Sequence, residues 1–237
     1  MKQVKLPAGY KIAHRGLHGK QIPENSLASF EEAINRNIAI ELDVHILKDQ
    51  TVVVFHDDNL KRMVGIDKDI RECTYEELKA YKLKDSSFHI PTLKEVLKQI
   101  DGKVPLLIEL KYDVKGGKLE RAVAQLLKSY VGEYYIQSFW PFSIYWWKKH
   151  DPKTYRGLLI AVKNQSKLQL WLVEHFLFLL DVDFVSYEKG NYQRPFFRKC
   201  VRKGIPIFIW TVKTKQEYLQ AKPFAKCLIV ENLDELK

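Results

Sequence analysis

Cysteine is scarce: Cys73, Cys200 and Cys227 are the only three in 237 residues. They are too few and too far apart for a disulfide framework, and no C-x-x-C pair marks a structural zinc site. Packing is their expected role. Long apolar runs are missing as well, none approaching the roughly 20 residues that cross a bilayer. The opening MKQVKLPAGYKIAH has no apolar core of the signal-peptide kind. Linkers, low-complexity tracts and internal repeats are also missing. The chain is therefore expected to be one soluble, cytoplasmic domain spanning 1–237. Acidic charge is in deficit, with 29 Asp and Glu against 39 Lys and Arg, so the chain carries +10 and favours anionic partners. Its basic residues are scattered, with no recognition helix or base-stacking sheet motif, which argues against nucleic acid as the partner.

What is present is a rhythm. Short β-branched runs alternate with amphipathic stretches nearly to the end of the chain. Strands are expected at Lys11–Ala13, Ile38–Asp43, Pro105–Leu110, Tyr134–Ile136, Arg156–Ile160, Asp183–Ser186, Pro206–Trp210 and Lys226–Val230. Helices are expected after Asn25 or Ser26, and over Thr92–Ile100, Leu119–Tyr130, Pro141–His150, Leu168–Leu180, Pro195–Lys203 and Thr214–Ala221. Repeated βα units imply a parallel sheet, and eight of them suit a closed α/β barrel, the (β/α)8 TIM barrel. One run breaks the alternation. Thr51–Phe55 follows the second strand after only Lys48-Asp49-Gln50, too short for a parallel crossover, so the two must form an antiparallel hairpin. Residues 44–90 then form an insertion, a β-hairpin and short helix, after the second strand.

Functional groups of such barrels gather at the C-terminal ends of the strands. There the sequence places His14-Arg15-Gly16, then Glu41 and Asp43, then Glu109 and Lys111, and finally Trp210-Thr211. Residues two apart on a strand share a face, so all four of Glu41, Asp43, Glu109 and Lys111 can point into the barrel mouth. A hairpin turn centred on Asp49-Gln50 would set His56 opposite Asp43. Three converging carboxylates repel one another unless a cation lies between them, and hard oxygen ligands suit Mg²⁺ or Ca²⁺. Arg15 and Lys111 suit phosphate oxygens. His14 and His56 suit proton transfer near neutral pH. Together these groups describe cleavage of a phosphoryl ester. Pro23-Glu24-Asn25 reads as a turn into a helix N-cap.

Eight stretches, in order, carry a resemblance: Ile12-Ala13-His14-Arg15-Gly16, Pro23-Glu24-Asn25-Ser26-Leu27, Glu41-Leu42-Asp43-Val44, Val54-Phe55-His56-Asp57, Ile90-Pro91-Thr92-Leu93, Ile108-Glu109-Leu110-Lys111, Gln137-Ser138-Phe139 and Trp210-Thr211-Val212. The chain resembles the glycerophosphodiester phosphodiesterases of the small bacterial type over nearly its whole length. The resemblance implies a (β/α)8 barrel in which Glu41, Asp43 and Glu109 hold one divalent cation, Mg²⁺ or Ca²⁺. It implies His14 and His56 as acid and base, Arg15 and Lys111 on phosphate, and Trp210 against the glycerol. The implied substrate is a small glycerophosphodiester, released as glycerol 3-phosphate and an alcohol. Two positions depart from the family pattern. Lys213 stands after Trp210-Thr211-Val212 where Asn is common, and the last strand runs into Val230-Glu231-Asn232-Leu233 instead of Thr-Asp and a following Pro.

An aromatic stretch from Tyr134 to Trp147 and the apolar Leu168–Leu180 read first as helices packed on the barrel. Outward-facing aromatic and basic side chains there would instead touch an anionic membrane, with lysophospholipids as substrates of a lysophospholipase D type. A barrel that binds phosphate or lipid without catalysis is the third alternative. His18, His45, His89, His150 and His175 have no motif and are expected to be structural or at the surface.

Overall fold

The computed structural model describes residues 2–84, 86–113, 116–162, 177 and 179–236. Most of the expected helix Leu168–Leu180, with His175, lies outside the described residues. Among the described residues there are nine strands: β1 (Tyr10–Ala13), β2 (Ala39–Ile46), β3 (Val52–Val54), β4 (Leu106–Leu110), β5 (Tyr134–Ser138), β6 (Tyr155–Ile160), β7 (Phe184–Glu188), β8 (Ile207–Val212) and β9 (Cys227–Val230). They pair in the order β1-β9-β8-β7-β6-β5-β4-β2-β3, and β1 pairs with β2 as well. The eight strands other than β3 thus close the (β/α)8 barrel that the alternation predicts.

By contact density the chain divides into two compact units, Ala13–Tyr134 and Met1–Ile12 with Tyr135–Lys237. In the second, β5 to β9 pair in parallel with their sequence neighbours. A continuous apolar core there includes Ile144, Leu158, Val185, Phe197, Ile209 and Leu228. Helix α6 (Pro141–His150) opens with Pro at its first turn and closes on Lys148, Lys149 and His150, complementing the helix dipole at that end.

The unit Ala13–Tyr134 carries the chemistry-bearing residues other than Trp210. Its centre is β2, all eight residues of which are buried, as expected of a strand covered on both faces. Beside it β4 runs parallel, with Asp43 paired to Glu109. Helix α1 (Leu27–Asn35) starts at Ser26, whose hydroxyl accepts from the Ser29 N–H in a reciprocal capping box. Helix α4 (Leu93–Ile100) starts at Thr92 with the Thr-x-x-Glu box read from the sequence, and α5 (Lys118–Leu127) lies between β4 and β5. After β3 the insertion adds α2 (Lys61–Val64), a 3₁₀ turn over Ile70–Glu72 and α3 (Tyr75–Leu78). Leu47, Phe55, Leu60, Met63, Ile70, Leu78 and Leu83 form a small core of its own. The insertion is thereby held rigid by burial and not merely by its two tethers.

One expected register is corrected. Val44 pairs with Val54 and Ile46 with Val52, and the Phe55 N–H donates to the Asp43 carbonyl at 3.0 Å. Asp43 therefore faces Phe55, and His56 lies one residue beyond. The loop causes the shift. Leu47 donates to Thr51 at 2.9 Å and Gln50 to Leu47 at 3.0 Å, so three residues, not two, make the turn. Gln50 closes it in the left-handed conformation, at φ 68°.

Candidate active site

Glu41 and Asp43 are two residues apart on β2, and Glu109 lies beside Asp43 on β4. All three are buried. One oxygen from each lies within 4.8 Å of those of the other two. Burial first, then Asp43 and Glu109, push the Glu41 carboxyl well above its ordinary range. Asp43 goes the opposite way: burial would raise it, but Lys111, His56 and Arg15 outweigh that and hold it ionised. Lys111 Nζ lies 2.7 Å from Asp43 Oδ1 and donates to Glu109 Oε1 in a very short hydrogen bond. Burial alone would lower the Lys111 ammonium; Asp43 and Glu109 raise it instead.

Arg15 follows β1 with a left-handed backbone, φ 55°. That turn aims its N–H at Glu41 Oε2, 3.0 Å away. Its Nη1 donates to Glu24 Oε1 at 2.7 Å, and its Nε lies 3.4 Å from Asp43 Oδ2. Gly16 makes the turn possible. It sits at φ 77°, and a Cβ there would come within 2.8 Å of the Ser29 carbonyl carbon, closer still to its hydroxyl. Gly16→Ala is expected to cost about 2–3 kcal/mol, from left-handed strain and a clash with backbone that cannot yield. Urea unfolding of the variant measures it; an unchanged midpoint would mean the turn tolerates a side chain.

Pro23-Glu24-Asn25 does more than turn the chain. Ser26, not Asn25, is the helix cap. Asn25 is buried, donates through Nδ2 to Asp43 Oδ2 at 2.8 Å and accepts the Asp43 N–H at 3.4 Å. Its backbone N–H donates to the Arg15 carbonyl at 3.0 Å. Asn25 thus fixes the rotamer of Asp43 and the turn at Arg15. The sequence marked it only as a turn residue; the clue was an Asn in a motif whose cap is supplied by the next residue.

His56 lies in the loop after β3. Its Nδ1 is 2.6 Å from Asp57 Oδ1. The Asp57 carboxyl, which burial alone would raise, is held at about 2 by Arg62 and by His56, so it is ionised and can only accept. Nδ1 therefore carries the proton, which leaves the Nε2 lone pair free in the neutral ring. Burial first, with Lys111 and Arg15 adding to it against the pull of Asp43, lowers the His56 imidazolium below its usual value. Behind it His45, buried and itself lowered to about 4 by burial, donates from Nε2 to the His56 carbonyl at 3.2 Å. His45 is structural, as expected, but it holds the backbone of the site. His14 is half-buried at the end of β1, next to Arg15. Trp210 is in the other compact unit, within β8, two residues before its end, with its indole edge-on to Phe139 at 5.7 Å.

Buried oxygens from three carboxylates within one ion's reach match the ligand preference of a hard divalent cation. The model of the glycerophosphoryl diester phosphodiesterase family matches residues 14–235. The chain belongs to that family. It is an enzyme of the glycerophosphodiester phosphodiesterase class. A glycerophosphodiester phosphodiesterase of Caldanaerobacter subterraneus is 32% identical over 222 residues, covering 87% of this chain and 86% of that one. A human lysophospholipase D is 38% identical over 136 residues, 52% of this chain and 42% of its own. Among solved structures, a phosphodiesterase of Oleispira antarctica, in complex with the product sn-glycerol-3-phosphate, has TM-score 0.83 at 26% identity over 98% of this chain and 95% of that one. On this phosphodiesterase Arg15, Glu41, Asp43, Glu109 and Lys111 lie together around Asp43, and Trp210 belongs to the other compact unit.

Proposed function

We propose that this phosphodiesterase hydrolyses glycerophosphodiesters to glycerol 3-phosphate and an alcohol, with one divalent cation and two histidines. The arrangement that carries the reading is the set of three buried carboxylates beside Arg15, Lys111 and an imidazole of fixed tautomer. Glu41, Asp43 and Glu109 would hold the cation, Mg²⁺ or Ca²⁺, which when bound neutralises phosphate charge and acidifies an oxygen placed against it. Arg15 and Lys111 would meet phosphate oxygens. His56 Nε2 accepts the proton of the attacking hydroxyl, from water or from the substrate's own glycerol, and His14 returns one to the departing alcohol; where the glycerol attacks, water then opens the cyclic glycerol phosphate with the two roles exchanged. Trp210 would line the glycerol pocket. We take residues 1–237 as one catalytic barrel domain, with 44–90 as an insertion in it.

The test is an assay of released glycerol phosphate across several head groups, in chelator and in Mg²⁺ or Ca²⁺. Activity restored by the cation supports the reading, and full activity in chelator sinks the metal. A second readout needs no turnover. Saturating cation should raise the melting temperature of the wild type by mass action and leave that of Glu41→Gln where it was.

A second substrate class has its own support. On α6, Phe142 is 82% and Tyr145 53% exposed, beside Trp140 at 42%. The human relative is named as a lysophospholipase D. Such aromatic side chains next to a basic helix end fit an anionic lipid surface, while no helix among the described residues is long and apolar enough to cross a membrane. Sedimentation with anionic and neutral liposomes separates the two: binding to anionic vesicles that Phe142→Ser removes favours lysophospholipids, and no binding favours the water-soluble diesters.

A further inference from the structure

The insertion sends one side chain toward the site. Arg62 lies on α2, whose neighbouring Met63 is buried in the insertion's small core, so the helix that presents the guanidinium is anchored. Arg62 Nε donates to Asp57 Oδ2 at 2.6 Å and Nη2 to Asp57 Oδ1 at 3.0 Å. The same guanidinium donates from Nη1 to Glu24 Oε2 at 3.0 Å and from Nη2 to Glu24 Oε1 at 2.6 Å. Both carboxylates have a second duty. Asp57 accepts from His56 Nδ1, and Glu24 accepts from Arg15 Nη1. A continuous chain of charged hydrogen bonds therefore runs His56–Asp57–Arg62–Glu24–Arg15.

A surface ion pair contributes little to stability, so a merely stabilising role does not account for a guanidinium forked onto two carboxylates that each orient a different functional group. Neither neighbour can take over. Asp57 and Glu24 are both anions, and without Arg62 they would repel and turn away from the groups they hold. We propose that Arg62 is a positioning residue: through Asp57 it fixes the His56 tautomer, and through Glu24 it fixes the direction of Arg15. The two ends of the chain are the base and a phosphate ligand of the proposed reaction, so the inference rests on that reading. It also gives the insertion a task, since the fork must come from a rigid element outside the barrel strands. A lysine could supply the charge but not four directed N–H bonds.

Arg62→Ala, Arg62→Lys, Asp57→Asn and the double variant Arg62→Ala/Asp57→Asn test this. Misplaced supporting groups typically cost about 10–100-fold, so kcat of Arg62→Ala should fall by that factor, and KM should rise as Arg15 loosens. The double variant should be no slower than the worse single one within about twofold, because both act through one imidazole. Arg62→Lys should recover less than half of the lost kcat; full recovery would mean that charge alone matters and would overturn the positioning role. Imidazole ¹⁵N shifts give a readout independent of turnover. Wild-type His56 should be the Nδ1–H tautomer alone, and Arg62→Ala should mix in the Nε2–H form. An unchanged tautomer in Arg62→Ala overturns the inference even if the chain hydrolyses no glycerophosphodiester at all, the outcome that would sink the reaction and not the relay.

Discussion

His56→Ala lowers kcat for glycerophosphodiester hydrolysis by about 10²–10⁴-fold, the usual contribution of one acid or base, and leaves the fold intact. The ring's main tie is its hydrogen bond to Asp57, which keeps both of its Arg62 donors when the ring is gone. A net loss of about 1 kcal/mol for one hydrogen bond shifts melting in a chain of this size by only about 2–4 °C. His14→Ala should lose a similar factor on ordinary substrates. The two variants part company when the leaving group changes. A p-nitrophenyl ester departs without being protonated, so His14→Ala should regain most of its rate on that substrate. His56→Ala should regain little, since the attacking hydroxyl still needs a base. Reversed behaviour would exchange the two roles, and near-wild-type rates in both variants would end the acid–base assignment. The physical ground for casting His56 as base is the proton fixed on Nδ1 by an ionised Asp57, which leaves Nε2 with a lone pair.

The periodicity made the barrel legible because short apolar strands alternate with amphipathic helices along most of the described chain. Period 2 put Glu41, Asp43, Glu109 and Lys111 on shared faces, and the parallel register of β2 and β4 does place Asp43 beside Glu109. The position of His56 was harder. Spacing alone centred the hairpin on two residues, whereas Gln50 takes the left-handed conformation and makes the turn one residue longer. His56 then reaches the carboxylates from a loop, not across the ladder. Asn25 and Glu24 were read as turn residues because side chains of that kind serve turns and caps equally well. Nothing local says that Asn25 will pair with Asp43, 18 residues on. Arg62 was invisible for the same reason. Its partners Glu24 and Asp57 come from different segments, 38 and 5 residues away, and only the folded insertion brings them to one guanidinium.

Lys111→Met is the substitution expected to cost the most stability, about 3–5 kcal/mol, the usual penalty for removing one partner of a buried ion pair. Methionine fills the space of the stem, so the loss is electrostatic and not a cavity. The side chain of Lys111 is only 13% exposed, and its ammonium lies against both Asp43 and Glu109. Without it three buried carboxylates within 4.8 Å of one another face one another with Arg15 as the remaining neighbouring guanidinium among the described residues. Glu41→Gln should do the reverse in chelator. It removes a carboxyl whose ionisation burial, Asp43 and Glu109 already oppose, while its remaining carbonyl oxygen can still accept the Arg15 N–H that Glu41 Oε2 accepts at 3.0 Å, so its melting temperature should rise above the wild type's. Saturating Mg²⁺ or Ca²⁺ should invert that order, because the wild type then gains binding energy and the variant, short of one ligand, does not. Sites that need clustered like charges are less stable than they could be without their function, and the crossing of the two melting curves is the measurement of that conflict. Parallel curves, with Glu41→Gln below the wild type in chelator as well as in cation, would mean that Arg15 and Lys111 already neutralise the cluster and that the carboxylates do not await an ion.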